Sequence, residues 1–231
     1  MIPFDDASVD ALDATTRARL SRRWEERVRS ELEVGLAFED LALRLRAVGA
    51  ERVVVDMAER SATQERVHAE LCQRLAERYG DRTVSMPPLD YASPRFGYDD
   101  ERFEVLFLIA GTCCVNETLA SVWLRRCAEV ATAPLARAVN QLHLREEVLH
   151  SRLGWAHLAS RAVDVAMRRE LGRRLDDVIA VNAAQWVAEE KHLDEGVPTH
   201  GYPSLADTRA LIDHAVDTIV RPGFAHVLAL P

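Results

Sequence analysis

On a helix, the segment Gln141–His150 puts His143, Glu147 and His150 within an arc of about 60°. Asn140, Gly154 and His157 extend the same stripe. Two imidazoles and a carboxylate on one face, beside a small glycine, form a metal-ligand row rather than a typical core stripe. One row is weak by itself, so its partners on other elements decide the reading.

The rest of the chain favours helices. Val, Ile, Phe and Tyr do not alternate with polar residues, and Ala, Leu, Arg and Glu dominate, which predicts an all-α fold. With 231 residues, 48% of them hydrophobic, the chain can bury one good core, so residues 1–231 are expected to form one domain. The net charge of −8, with both signs interspersed, argues against a broad nucleic-acid surface. The acidic start, Met1-Ile-Pro-Phe-Asp-Asp, does not resemble a signal peptide, and no run approaches the 18 apolar residues of a membrane span. Cys72, Cys113, Cys114 and Cys127 are too sparse for a disulfide framework. A soluble cytoplasmic protein, partnered by neither membrane nor nucleic acid, is the expectation.

Helix signals divide the chain into hairpin, long link and hairpin. A first helix is predicted from about Leu12 to Val48, with an interruption near Ser21, stopping at Gly49. A second runs from about Ala50 to Tyr79 and stops at Gly80. Residues 81–98 contain Met86-Pro-Pro-Leu and Ser93-Pro-Arg-Phe-Gly, which no helix can cross. A third helix spans about Asp100 to Ala131, and a fourth, capped by Thr132, about Pro134 to Ser160. Accessory helices follow over about 163–195 and 204–219, the latter capped by Ser204 with Asp207 three residues on.

Each of the other three core helices carries its own acidic candidate. Glu65-Arg-Val-His68 is a second Glu-x-x-His, on a face with Ala58, Ser61, Ala62, Ala69 and Cys72. Glu117 is a lone carboxylate among Ala110, Cys113, Cys114, Ala120, Ser121 and Leu124, where it would pay a large desolvation cost unless neutral, paired or metal-bound. Helix one offers Glu31, Glu33 and Glu39. Glu31 shares its face with Trp24, Val28, Gly35, Phe38 and Ala42 and is preferred; Glu33 lies with Arg29, Asp40 and Arg44, and Glu39 is intermediate. The levels agree: Glu31 lies 18 residues before Gly49 and Glu65 16 after it, while Glu117 lies 16 before Ala133 and Glu147 14 after it. Oxygen and imidazole donors of this kind suit iron or manganese.

This ordered set resembles the ferritin-like di-iron carboxylate proteins, in which two helices each give a Glu and two give Glu-x-x-His. The resemblance covers the core bundle, about residues 20–160, and leaves 163–230 as additional C-terminal helices. It implies a ferritin-like four-helix bundle in which Glu31, Glu65, His68, Glu117, Glu147 and His150 bind two iron (or manganese) ions, with Glu65 and Glu147 bridging. The added His143, giving His-x-x-x-Glu-x-x-His, is similar to the arylamine N-oxygenases, which use a third histidine on one iron and oxidise an amine with O2. That likeness implies a seventh ligand, His143, a small-molecule substrate, O2 as co-substrate and an external electron donor; a homodimer is the oligomer considered. The family tends to show Asp-Glu before each x-x-His, whereas this chain has Gln64-Glu65 and Glu146-Glu147, so the hydrogen bonds behind the histidines are expected to differ. Its length and Glu-Glu-x-x-His segment are equally similar to the aldehyde-deformylating oxygenases, which lack the third histidine. An iron-storage bundle and a metal-free bundle are the non-catalytic alternatives. A third Glu-x-x-His, Glu189-Glu-Lys-His192, reads as a solvated helix end, and Cys113 and Cys114 as small residues for close helix packing.

Overall fold

The computed structural model describes residues 2–89, 91–188, 193 and 195–230. The described chain is all-α: its regular elements are helices, and its one β-bridge is the isolated pair Val197–Tyr202. A short α1 (Ala7–Asp10) leads into α2 (Ala14–Ala47), which runs unbroken through Ser21. Asp13 starts α2 by accepting from the Thr16 amide at 2.9 Å. At its end Gly49 adopts φ 72°, and the amides of Ala50 and Gly49 return to the carbonyls of Leu45 (3.0 Å) and Arg46 (3.2 Å). These are the two bonds of a Schellman stop, which closes a tight turn into the antiparallel α3 (Arg52–Gly80).

Two helix ends depart from expectation. Gly80 stays helical, and Asp81 takes the left-handed conformation (φ 50°) that ends α3. The reason is packing: a Cβ on Gly80 would lie 2.5 Å from Ser21 Oγ, which itself donates to Ala76 O at 2.7 Å. Glycine here lets α2 approach α3, and the interruption expected at Ser21 is instead an interhelical tie. Likewise Thr132 does not cap α6 (Pro134–Ala159). The Asp6 carboxylate, brought from the other end of the chain, accepts from the Leu135 amide at 2.9 Å, while the amides of Thr132 and Ala133 both donate to Thr199 O.

The second hairpin begins with α4 (Glu101–Ile109), passes through a π-helical stretch (Ala110–Asn116) and continues as α5 (Glu117–Val130). By length and mean hydropathy Glu101–Val130 could cross a bilayer, yet 78% of its most apolar window is buried inside the protein, as befits a core helix. Beyond α6, α7 (Val165–Trp186) packs on the π stretch, and α8 (Leu205–Ala215) continues through a second π turn into α9 (Arg221–Leu228). The accessory helices therefore extend past residue 219, and Ser204 caps α8 as expected, accepting from Asp207 N at 3.0 Å. Glu189-Glu-Lys-His192 lies outside the described residues.

The core is layered along the bundle. One apolar cluster takes Phe38, Leu41 and Leu45 from α2, Val54 to Ala62 from α3, Val105 to Ile109 from α4, and Leu153 and Leu158 from α6. Another takes Trp24 and Val28 from α2, Leu75 and Tyr79 from α3, Trp123 and Leu124 from α5, and Leu135 and Val139 from α6. The residues left between them along these helices include Glu31, Glu65, His68, His143, Glu147 and His150, all buried. The polar layer is thus sandwiched between two dry ones.

Asp6→Ala should lower the urea midpoint by the equivalent of about 1 kcal/mol, with little change in slope, because the α6 terminus loses its acceptor. Asp6→Asn, which keeps an acceptor oxygen, should recover most of the loss; equal losses in the two variants would show that the bond to Leu135 contributes nothing.

Candidate metal centre

Four helices deliver one side chain or pair each to this layer. On α2, Glu31 is 9% exposed, whereas Glu33 is exposed beside Arg29, and Glu39 pairs with Arg66 on the outer face. On α3, Glu65 and His68 are buried; Gly35 of α2 makes room for Glu65, since a Cβ there would meet Glu65 Cβ at 3.3 Å. Glu117 is the first residue after the π stretch. A π turn adds a residue to the helical repeat, shifting the faces that follow it, and such turns concentrate at functional sites. On α6, Gly154 leaves no room for a side chain: its Cβ would fall 2.6 Å from Cys114 Sγ and 2.7 Å from Cys113 Cβ. Cys113 and Cys114 therefore serve close packing of α6 on the π stretch.

The donors converge in two overlapping groups. Glu31, Glu65, His68 and Glu147 each offer a ligand atom within 4.8 Å of the others, and so do Glu65, Glu117, Glu147 and His150. Glu65 and Glu147 belong to both. His150 Nδ1 lies 2.8 Å from Glu147 Oε2, 2.8 Å from Glu65 Oε1 and 3.9 Å from Glu117 Oε2. His68 Nδ1 lies 3.2 Å from Glu65 Oε2 and 3.4 Å from Glu147 Oε1. In both histidines the same nitrogen faces the shared carboxylates.

The opposite nitrogens are anchored crosswise. His68 Nε2 of α3 meets Glu146 Oε2 of α6 at 2.7 Å, and His150 Nε2 of α6 meets Gln64 Oε1 of α3 at 3.1 Å. The residue preceding each shared glutamate thus orients the histidine of the opposite helix, as outer partners of metal-binding histidines do.

Electrostatics show what the layer lacks. Burial, reinforced by the charges of Glu147 and Glu65, pushes the Glu117 carboxyl well above its ordinary value. Burial lifts Glu31 to about 7 against the pull of Arg27. Burial would lower both histidines, but Glu146, Glu147 and Glu65 raise His68, and Glu147 and Glu65 raise His150 to about 9. Glu147, despite burial, is held well below the usual carboxylate range by His150 and His68. Burial and the neighbouring acids thus disfavour a charged Glu117, the facing carboxylates favour charged histidines, and divalent cations would compete with protons here. Glu65 Oε1 lies 2.8 Å from His150 Nδ1 without a well-aligned hydrogen bond. A buried carboxylate and imidazole set with shared acids fits hard or borderline cations, whose binding would compete with protons for the same atoms.

His143 stands beside the two groups rather than within either. Its ring centroid is 4.3 Å from that of His68, and its Nδ1 lies 2.8 Å from Arg27 Nη2. A guanidinium only donates, so Nδ1 accepts and the neutral ring carries its proton on Nε2. Burial, followed by the charges of His68 and Arg27, keeps the ring neutral. Arg27 also meets Glu31 Oε1 at 3.1 Å and lies over the rings of Trp24 (4.6 Å) and Trp123 (5.5 Å). Sequence reasoning missed Arg27, although its signal was there: it precedes Glu31 by four residues, one turn away on the same face.

A cleft of about 380 Å³ leads to the layer. Its walls run from exposed Arg29 and Glu33 past Trp123, Trp186 and Tyr202 to Glu31, Glu65, Glu117 and Glu147. Of the other histidines, His157 is buried with Nδ1 unpartnered, His200 is packed against Tyr79 Oη (2.8 Å), and His214 and His226 are exposed. Comparisons of the chain with protein-family models, with curated proteins and with solved structures found no significant match.

Equilibrium dialysis with Mn(II) should load two ions per chain. Glu147→Ala, which removes a donor common to both groups, should abolish both, whereas Glu117→Ala should retain about one. Equal loading of these two variants would contradict the shared-carboxylate arrangement.

A second expectation concerns His157, which burial pushes down to about 4. Its folded value lies below its unfolded value of about 6.5. The unfolded chain therefore binds the extra proton, and stability falls as pH drops from about 6.5 to 4, by up to about 3 kcal/mol. Denaturation of His157→Gln at a series of pH values should show a correspondingly flatter profile; parallel profiles would mean that His157 titrates normally in the fold.

Proposed function

We propose that the chain is a ferritin-like, O2-dependent di-iron oxygenase acting on a small molecule, with amines as the leading substrate class. The observation that carries this reading is the pair of donor groups sharing Glu65 and Glu147 at the inner end of a cleft. In this reading Glu31, Glu65, His68, Glu117, Glu147 and His150 hold two metal ions, with Glu65 and Glu147 bridging. Bound iron would supply the electrons and the open coordination positions for O2 activation.

The protein's own contributions are positional. Glu146 and Gln64 fix the histidine rings, so the nitrogens facing the carboxylates stay aimed inward. The apolar clusters above and below the layer leave the cleft as its approach from solvent. Trp123, Trp186 and Tyr202 give the cleft an aromatic wall for an organic substrate, and Arg27 places a fixed positive charge beside Glu31. Iron storage would need no such aromatic approach to the metals. The external reductant and a cytoplasmic setting belong to this reading as well.

Full-length protein loaded with Fe(II) and supplied with a reductant should consume O2 faster when an arylamine or alkylamine is added, with oxidation of the amine detectable by mass spectrometry. Uptake that no amine changes would reject the amine assignment. Failure to retain stoichiometric iron or manganese would remove the oxygenase reading, and rapid ferrous oxidation by a large cage without organic substrate would favour storage.

A further inference from the structure

A third set of donors adjoins the centre through Glu31. Glu31, Cys72 and His143 each bring a ligand atom within 4.8 Å of the other two. Cys72 and His143 are fully buried, and Cys72 Sγ lies 3.8 Å from Glu31 Oε1. Two of the three already hold a cation, because Arg27 Nη2 touches both Glu31 and His143. The fit is incomplete. Arg27 Nη1 is buried with no partner, His143 Nε2 is buried with no partner, and the sulfur meets only a carboxylate oxygen.

We propose that Glu31, Cys72 and His143 form a third cation site, in which the Arg27 guanidinium occupies the place of a thiophilic divalent cation of the zinc or cadmium kind. Sulfur, imidazole and a single carboxylate make a softer donor set than the oxygen-rich groups beside it. On binding, the cation takes the Cys72 sulfur as thiolate, the thiol proton passes to solvent, and Arg27 gives up Glu31 and His143. No electron changes hands. Glu31 also belongs to the group containing Glu65, His68 and Glu147, so a thiophilic cation competes for a donor of that group. The site therefore offers a route by which zinc-like ions disable the neighbouring centre, and it exists whether or not that centre activates O2.

The test is a cadmium titration of the metal-free, full-length chain, followed by thiolate-to-cadmium charge-transfer absorption in the ultraviolet. Carboxylate and imidazole donors produce no such band, so it reports the sulfur alone. One saturable absorbing site per chain is expected. Cys72→Ser should abolish it, and Cys127→Ser should leave it intact. Arg27→Gln, which removes the competing charge, should tighten cadmium binding by about tenfold. Helical circular dichroism establishes that each variant is folded, and Cys72→Ala replaces Cys72→Ser if the latter is not. A band that survives loss of the Cys72 thiol, or that is missing in both the natural chain and Arg27→Gln, overturns the site. Unchanged affinity in Arg27→Gln overturns the role given to the guanidinium. Neither readout requires iron, reductant or O2, so the oxygenase reading can fail while this one stands.

Discussion

Burying four carboxylates at one depth between two apolar layers is the constraint on which the rest of the structure turns. A single uncompensated charge in such a place costs several kcal/mol, and four would cost far more than a domain's net stability. The chain meets this with histidines facing the shared acids, an arginine against Glu31, and an upward shift at Glu117 that disfavours its charged form. The same constraint explains the small residues. Gly35 and Gly154 sit where α2 meets α3 and α6 meets the π stretch at this depth, because helices that converge on one buried polar layer leave little room for bulky side chains there.

Much of this layer could be read from spacing. Glu31 was separable from Glu33 because burial follows the face of a helix: Trp24, Val28 and Phe38 mark the inner side, and Arg29 with Asp40 the outer. Gly49 signalled the hairpin because a left-handed residue closing a Schellman stop is a local event. What escaped was long-range or geometric. Asp6 caps a helix more than a hundred residues away, so the local candidate Thr132 drew attention instead. The π stretch before Glu117 leaves no clear periodic signature, because one inserted residue in a mostly apolar run of small side chains hardly changes the pattern of polarity. Gly80 looked like a stop and is a packing contact; only the approach of Ser21 distinguishes the two.

His143 illustrates where likeness to a family and local physics part. The extra histidine four residues before Glu147 suggested a further metal ligand. Yet its accessible chemistry is governed by Arg27, whose donor occupies Nδ1 and thereby places the ring proton on Nε2. With Nδ1 so engaged and Nε2 unpartnered, the Arg27 contact governs which lone pair the ring can offer. The identity of the residue one turn before Glu31 thus controls what a residue on α6 can do.

The crossed anchors make the two halves of the layer unequal. His68 leans on Glu146, an anion, whereas His150 leans on Gln64, a neutral amide. A carboxylate behind an imidazole raises its basicity as a ligand more than an amide does. The facing carboxylates raise both rings, and Glu146 is among the causes at His68 alone. Glu117, joined to the His150 side, adds a carboxylate that burial tends to neutralise, while Glu31 on the His68 side keeps an arginine partner. Cations held in these groups would therefore meet different surroundings, with a carboxylate behind His68, an amide behind His150, and an arginine partner at Glu31 alone. A pseudo-symmetric sequence pattern, Glu-x-x-His twice over, has been made chemically asymmetric by the single residue that precedes each shared glutamate.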